Sequence, residues 1–294
     1  MNELITMTVE VSRGTTHNGP GLRTTIFMKG CPLACRWCQN PESISASQEI
    51  WYEARKCIGC LDCISTCTNA ALEAGDTGVI IHRGKCRGCG DCADACPAKA
   101  LALTGTVWMV DELVHEVMKD ASYYHEFGGG VTVSGGEPLI HADFLVEFFQ
   151  KLRANGIHMA LDTCGHTPST TVMRVVSCVD AVLYDVKLMN PDKHKILTGR
   201  DNTLILSNLN MIAAYIRKTQ KDTGSAMLLW IRTPLIPGDT ATEETIGQIA
   251  DYLAANISDV MERWELCAFN RLRKKSLSGR DMRLLRHFRR LIGA

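Results

Sequence analysis

Three cysteines, Cys31, Cys35 and Cys38, follow one another with the spacing C-x3-C-x2-C. Three thiolates can hold three irons of a cubane 4Fe-4S cluster and leave the fourth iron without a protein ligand. An electron-transfer cluster usually fills all four positions with cysteine, whereas an open iron can bind a small molecule directly. The spacing therefore points to a cluster that does chemistry. A structural zinc site would instead show a C-x2-C pair and four ligands.

A second set of cysteines has a different character. Cys57, Cys60, Cys63 and Cys67 recur as Cys86, Cys89, Cys92 and Cys96 at a constant offset of 29 residues, and Gly59, Asp62, Ala71 and Leu72 recur as Gly88, Asp91, Ala100 and Leu101. Each copy reads C-x2-C-x2-C-x3-C, the bacterial ferredoxin spacing, in which the fourth cysteine of one copy ligates the cluster of the other. This predicts one 4Fe-4S cluster on Cys57, Cys60, Cys63 and Cys96 and another on Cys86, Cys89, Cys92 and Cys67. Thr68 stands where the motif has proline, matched by Pro97 in the second copy. Cys164, Cys178 and Cys267 lie outside any motif, and for them the expectation is a buried, small hydrophobe.

The rest of the chain must position these loops. Its 294 residues, 46% of them hydrophobic, can bury a large core, either as one domain or as a core domain with a small insert. Lys plus Arg and Asp plus Glu both total 32, so net charge offers no case for nucleic acid or an anionic membrane. No apolar run reaches the ~20 residues of a membrane span and the N-terminus lacks a basic leader, which predicts a cytoplasmic protein. Residues 50–104 lose helical periodicity and read as a ferredoxin-like insert, leaving 1–49 and 105–294 as the main domain.

In that domain the first cysteine loop follows a strand over 24–29. Helices are expected at 111–124, with Asp111 as N-cap, and at 141–154, stopped at Gly156. Strands are expected at 131–134, 157–162, 181–186, 203–206, 227–232 and 264–268, and a helix after Thr240 with a capping box to Glu243. This alternation makes an α/β fold, a partial (βα)6 barrel, since too few residues remain for eight units. Polar groups at the C-terminal strand ends are then candidate contacts: Ser134 to Pro138, Asp162 to Gly165, Tyr184 to Lys187 and Arg232 to Gly238. Glu137 could receive an ammonium group. Asp185 and Lys187, two apart on a strand, either both face the lumen or form a solvated ion pair.

The combination of Asn18-Gly-Pro-Gly-Leu-Arg23, Lys29-Gly-Cys-Pro-Leu-Ala-Cys-Arg-Trp-Cys-Gln-Asn-Pro-Glu42, Ser134-Gly-Gly-Glu-Pro138 and Asp185-Val-Lys187 resembles the activating enzymes of glycyl radical enzymes, a group within the radical S-adenosylmethionine (SAM) superfamily. The resemblance spans residues 9–270, and residues 50–104 are similar to the two-cluster insert of some of its members. It implies a radical SAM oxidoreductase that cleaves SAM to methionine and a 5′-deoxyadenosyl radical, which removes a hydrogen atom from a backbone glycine of a partner enzyme. A radical passed between proteins also requires exclusion of oxygen. The implied cofactors are SAM and three 4Fe-4S clusters, with flavodoxin or ferredoxin as electron donor. SAM would chelate the open iron, with Trp37 against the adenine and Cys38 and Gln39 beside it. Gly135, Gly136 and Glu137 would meet the SAM amino group, and Asp185, Val186 and Lys187 its methionyl end or the partner's peptide. Asn18 replaces the family's usual Asp, no His or Asn stands near Thr245, and the segment 270–280 lacks the family's usual form. The core motif equally permits a radical SAM enzyme acting directly on a small molecule or peptide, whereas a pure electron carrier has no use for an open iron.

Overall fold

The computed structural model describes residues 4–224 and 227–268. The chain divides into two compact units, one containing Met1–Ser47 and Gly105–Phe269, the other Gln48–Thr104. In chain order the first unit opens with β1 (Ile5–Thr15) and β2 (Arg23–Met28). The second unit then supplies β3 (Glu49–Tyr52), α1 (Asp62–Thr66), β4 (Leu72–Gly75), β5 (Gly78–Ile81), α2 (Asp91–Asp94) and β6 (Leu101–Thr104). The first unit resumes with β7 (Thr106–Met109), α3 (Val110–Met118), α4 (Ala121–Glu126), β8 (Gly130–Gly135), α5 (Ala142–Ala154), β9 (His158–Thr163), α6 (Ser169–Val176) and β10 (Ala181–Asp185). It continues through α7 (Pro191–Thr198), α8 (Thr203–Thr223), β11 (Leu228–Leu235), α9 (Glu243–Asn256) and β12 (Arg263–Ala268).

The first unit is built on one eight-stranded sheet in the order β12-β11-β10-β9-β8-β2-β1-β7. The strands β2, β8, β9, β10, β11 and β12 are parallel neighbours in sequence order, and β1 and β7 extend the sheet antiparallel beyond β2. Six parallel strands joined by helical crossovers give the expected α/β architecture. Side chains alternate across each strand. Val131, Val133, Leu161, Val182, Tyr184 and Ile231 join the helix-covered core, together with Leu145, Phe148, Phe149 and Leu152 of α5. Burying each of those four is worth about 1.5–3 kcal/mol. Alternate positions, Ser134, Asp162, Asp185 and Arg232, fall on the other face, near its C-terminal edge.

Three expectations are corrected. Residues 203–206 are the first turn of the 21-residue α8 rather than a strand. Four residues, Thr203 followed by three apolar ones, cannot distinguish the two, but Ile205, Leu209, Ile212 and Ile216 repeat at helical spacing and are buried. The 111–124 helix is two helices, because Asp120 leaves the helical path and takes Arg13 at 2.5 Å and the Thr24 hydroxyl at 2.8 Å. Its N-cap is Met109, whose N–H is taken by Glu112, while Asp111 is a surface partner of Lys151. The cap of α9 is Thr242, accepting from Thr245 N–H at 3.1 Å, while Thr240 instead takes Ile236 N–H at 2.7 Å. Gly156, at φ +71°, does end the turn after α5. The segment 270–280 lies outside the described residues.

In the second unit, β3 pairs antiparallel with β6, and β4 with β5. Leu72 faces Ile81 in one pair and Leu101 faces Tyr52 in the other, so a shift of 29 residues exchanges the two halves. The backbone follows the same symmetry: Leu61 and Gly90 are left-handed at φ +66° and +94°, as are Ala70 and Lys99 at +45° and +49°.

Candidate active site

The loop carrying Cys31, Cys35 and Cys38 leaves the C-terminal end of β2, all six of whose residues are buried. Backbone bonds fix it on three sides. Gly30 and Cys31 N–H groups reach Ser43 and Ile44 carbonyls at 2.7 and 3.0 Å, and Ala34 and Arg36 reach Thr198 and Leu197 at 2.7 and 3.0 Å. On the third side Gly136 donates to Met28 and Glu137 to Gly30, at 2.9 and 2.7 Å. Close approach explains the glycines. A Cβ on Gly135 would lie 2.1 Å from Met28 N, and one on Gly136 would lie 2.1 Å from Gly30 O.

A cavity of about 260 Å³ opens between this loop and the strand ends. The three cysteines, Trp37 and Gln39 line it from the loop, and Gly135, Gly136, Asp162, Asp185 and Lys187 from β8, β9 and β10. Sequence-expected residues from four separate segments thus meet around one space. Two do not. Val186 is buried in the core, with only its backbone tied, to Arg232 O and the Thr233 hydroxyl. Glu137 is fully buried and absent from the cavity lining. Its carboxylate accepts from Leu139 N–H at 3.1 Å, the Thr163 hydroxyl at 2.6 Å and Cys164 N–H at 2.8 Å. Burial pushes this carboxyl above its ordinary range, against the pull of those donors. In this geometry the side chain braces the wall.

Asp185 and Lys187 form a half-buried ion pair, the lysine side chain 9% and the aspartate side chain 29% exposed. Burial alone would favour the neutral amine, but Asp185 beside it, together with the Cys35 and Cys164 sulfurs, outweighs burial and raises the lysine pKa. One register row along, Asp185 faces Arg232, which faces Glu265. The Arg232 guanidinium donates to Glu265 at 3.1 Å and Asp162 at 3.2 Å, and Asp162 also accepts from Ser134 at 2.7 Å. Asn18 enters the same network, its side-chain oxygen accepting from Arg232 at 3.3 Å.

Sequence reasoning missed Cys267 as a lining residue, and read Cys164, inside the candidate segment Asp162 to Gly165, only as a buried hydrophobe. Cys164 is buried as expected, but Cys267 is exposed. Only its register, opposite Pro234 at the C-terminal end of β12, could have marked it. Cys178 packs against the core.

The donor set fits a cationic cluster. Burial pushes the Cys31 thiol up to about 12 and Cys38 to about 11, and raises Cys35. Thiolates at such a place need compensating positive charge, which iron provides. Among the described residues no three His, Cys, Asp or Glu side chains gather as ligands of a single metal ion would. The three cysteines border a space instead of closing on a point.

In the second unit, one small cavity is lined by Cys57, Cys60, Cys63 and Cys96 and another by Cys67, Cys86, Cys89 and Cys92. Burial and its neighbours Cys67, Cys86 and Cys89 push Cys92 up to about 11. Ala71 N–H donates to Cys67 Sγ at 3.3 Å and Ala100 N–H to Cys96 Sγ at 3.2 Å, again related by the repeat.

Residues 17–206 match the model of a 4Fe-4S single cluster domain. The chain is 40% identical over 247 residues to the trans-4-hydroxy-L-proline dehydratase activating enzyme of Clostridioides difficile, covering 84% of this chain and 78% of that protein. It is 38% identical to the benzylsuccinate synthase activating enzyme of Thauera aromatica, over 87% of this chain and 77% of that one. With the isethionate sulfite-lyase activating enzyme of Oleidesulfovibrio alaskensis the identity is 37%, over 90% and 84%. The chain belongs to the activating enzymes of glycyl radical enzymes. As a radical SAM activating enzyme it is an oxidoreductase whose cofactors are a SAM-binding 4Fe-4S cluster and SAM. No helix among the described residues is long and apolar enough to cross a membrane.

Proposed function

We propose that this chain activates a partner glycyl radical enzyme. When bound and reduced, the cluster of the first unit supplies the electron that splits SAM, and the 5′-deoxyadenosyl radical so formed takes a hydrogen atom from a backbone glycine of the partner. The observation that carries this reading is the meeting of Cys31, Cys35 and Cys38 with Gly135, Gly136, Asp185 and Lys187 around one cavity. The three thiolates would hold the cluster and leave one iron for the SAM amino acid. Trp37 and Gln39 border the space for the nucleoside. Gly135 and Gly136 let main chain come close to the methionyl group, since neither has a side chain in the way. The Asp185–Lys187 pair presents both charges to a zwitterionic amino acid. A glycine is the apt target, because a residue without a side chain brings its Cα hydrogen nearest a buried carbon.

The second unit, 48–104, is proposed as a ferredoxin-like insert with two further 4Fe-4S clusters on the crossed quartets, supported by the two four-cysteine cavities. Four cysteines on each cluster leave no iron open, so these clusters would pass electrons from a flavodoxin or ferredoxin. The test is an anaerobic incubation of reconstituted enzyme with SAM, reductant and a candidate glycyl radical enzyme. Electron paramagnetic resonance should give a doublet on the partner that changes when its glycine Cα is deuterated, and Asp185→Ala should reduce it with the clusters intact. Deoxyadenosine formed with no partner radical, together with a modified small molecule or peptide, would overturn the proposal.

A further inference from the structure

The 29-residue repeat makes the two halves of the second unit chemically comparable position by position. Each half gives one backbone N–H to a cysteine sulfur, Ala71 to Cys67 and Ala100 to Cys96. At the places of β3 and β5 that face Leu101 and Leu72, however, the symmetry breaks: one holds Tyr52 and the other Ile81. Tyr52 lines the cavity of Cys57, Cys60, Cys63 and Cys96, and packs against the cluster of buried residues around it. Its hydroxyl accepts Val79 N–H at 3.2 Å and is in hydrogen-bonding contact with the Cys57 side chain; a cysteinate sulfur, as in a cluster, can only accept, so there the phenol is the donor. Gly78 leaves room for that hydroxyl, because a Cβ there would stand 2.0 Å from the Tyr52 oxygen. Ile81 has no proton to give. The other cavity carries the side-chain amide of Asn69 where the first has Ala98, besides Arg87 and Asp91, exposed charges of opposite sign.

We propose that Tyr52 is a redox-tuning residue: its hydroxyl holds the cluster on Cys57, Cys60, Cys63 and Cys96 at a higher reduction potential than an apolar residue at that place would, so that the two clusters are unequal. A proton shared with a cysteinate sulfur stabilises the extra negative charge that one-electron reduction adds to a cluster, and hydrogen bonds to sulfur are among the levers that set cluster potentials. The inference rests on the two-cluster reading of this unit. A hydrogen bond to a charged acceptor corresponds to about tenfold in the ratio of reduced to oxidised cluster at a given poise, or about 59 mV for one electron.

The experiment is a redox titration of the reconstituted full-length protein, followed by electron paramagnetic resonance, for wild type and Tyr52→Phe. The expected result is a fall of one insert-cluster midpoint by about 59 mV with the other unmoved. An exchangeable deuteron coupled to that cluster should also disappear from the double-resonance spectrum. Incorporating 3-fluorotyrosine at position 52 should raise the same midpoint, because a more acidic phenol is a stronger donor; this variant decides the matter if Tyr52→Phe fails to retain iron. Two insert clusters with unchanged midpoints in both variants, or with all midpoints moving together, would overturn the role of Tyr52 alone. A wild-type protein that holds no cluster on the insert cysteines would overturn the two-cluster reading and the role of Tyr52 with it.

Discussion

Replacing Glu137 separates a bracing residue from a SAM ligand. The side chain is fully buried, and its two oxygens take the Leu139 and Cys164 N–H groups and the Thr163 hydroxyl at 2.6–3.1 Å. Glu137→Ala orphans all three donors in a fully buried place, at about 1–3 kcal/mol each when counted singly. Such penalties share relaxation and do not add fully, so about 3–5 kcal/mol is expected for the whole change. At about 2–4 °C per kcal/mol for a domain of this size, the apparent unfolding midpoint of the reconstituted enzyme should fall by about 6–20 °C. Glu137→Gln keeps one oxygen for two of the donors but sets an amide NH2 or a rotated carbonyl against the third. Its cost should be about 1–3 kcal/mol. The assay is anaerobic thermal unfolding beside SAM binding by isothermal titration. Should Glu137→Ala unfold within about 0.5 kcal/mol of wild type while losing SAM affinity, the bracing argument fails and the carboxylate is a direct ligand.

Two further outcomes follow from the same site. Replacing Cys31, Cys35 and Cys38 together with alanine should remove about four irons per chain from reconstituted protein and abolish SAM cleavage; surviving cleavage would remove the central assignment. Gly136→Ala should place a methyl 2.1 Å from Gly30 O and 2.8 Å from Ser43 O, forcing the cysteine loop away from β8. A loss of about 1–3 kcal/mol is expected, with a weakened cluster signal, and wild-type stability and iron retention together would count against the proposed approach.

What could be read beforehand depended on whether a residue's role follows from its type and spacing or from its partners. The cysteines belong to the first kind: ligand spacing is local, and Cys31, Cys35 and Cys38 border the cavity as the motif implied. Gly135 and Gly136 were read as a place where a ligand approaches the backbone, and the atoms that a Cβ would meet there are Met28 N and Gly30 O of the neighbouring strand and the cysteine loop, a closeness that the sequence did not show. The bracing contacts of Glu137 were not legible, because the donors to its carboxylate include Thr163 and Cys164, which come from another part of the chain. Cys267 could not be placed at all without the pairing of β12 to β11, which no local pattern of residues 263–268 encodes. Residues 203–206 misled because a four-residue window spans barely one helical turn, too little to show a period.

The three residues Asp185, Val186 and Lys187 show how fine the limit is. A motif names all three, but only the first and third line the cavity while Val186 is 1% exposed in the core. Side chains alternate along extended backbone, so a ligand on one side of the sheet meets every second residue. Where a motif and the two-residue period disagree, the period is the stronger evidence, since reversing it would bury Asp185 and Lys187 among Val182, Tyr184 and Leu209. An ion pair in that apolar layer would lose more by desolvation than its attraction returns. The alternation that puts the charges on the cavity side is therefore fixed by the same burial that builds the core.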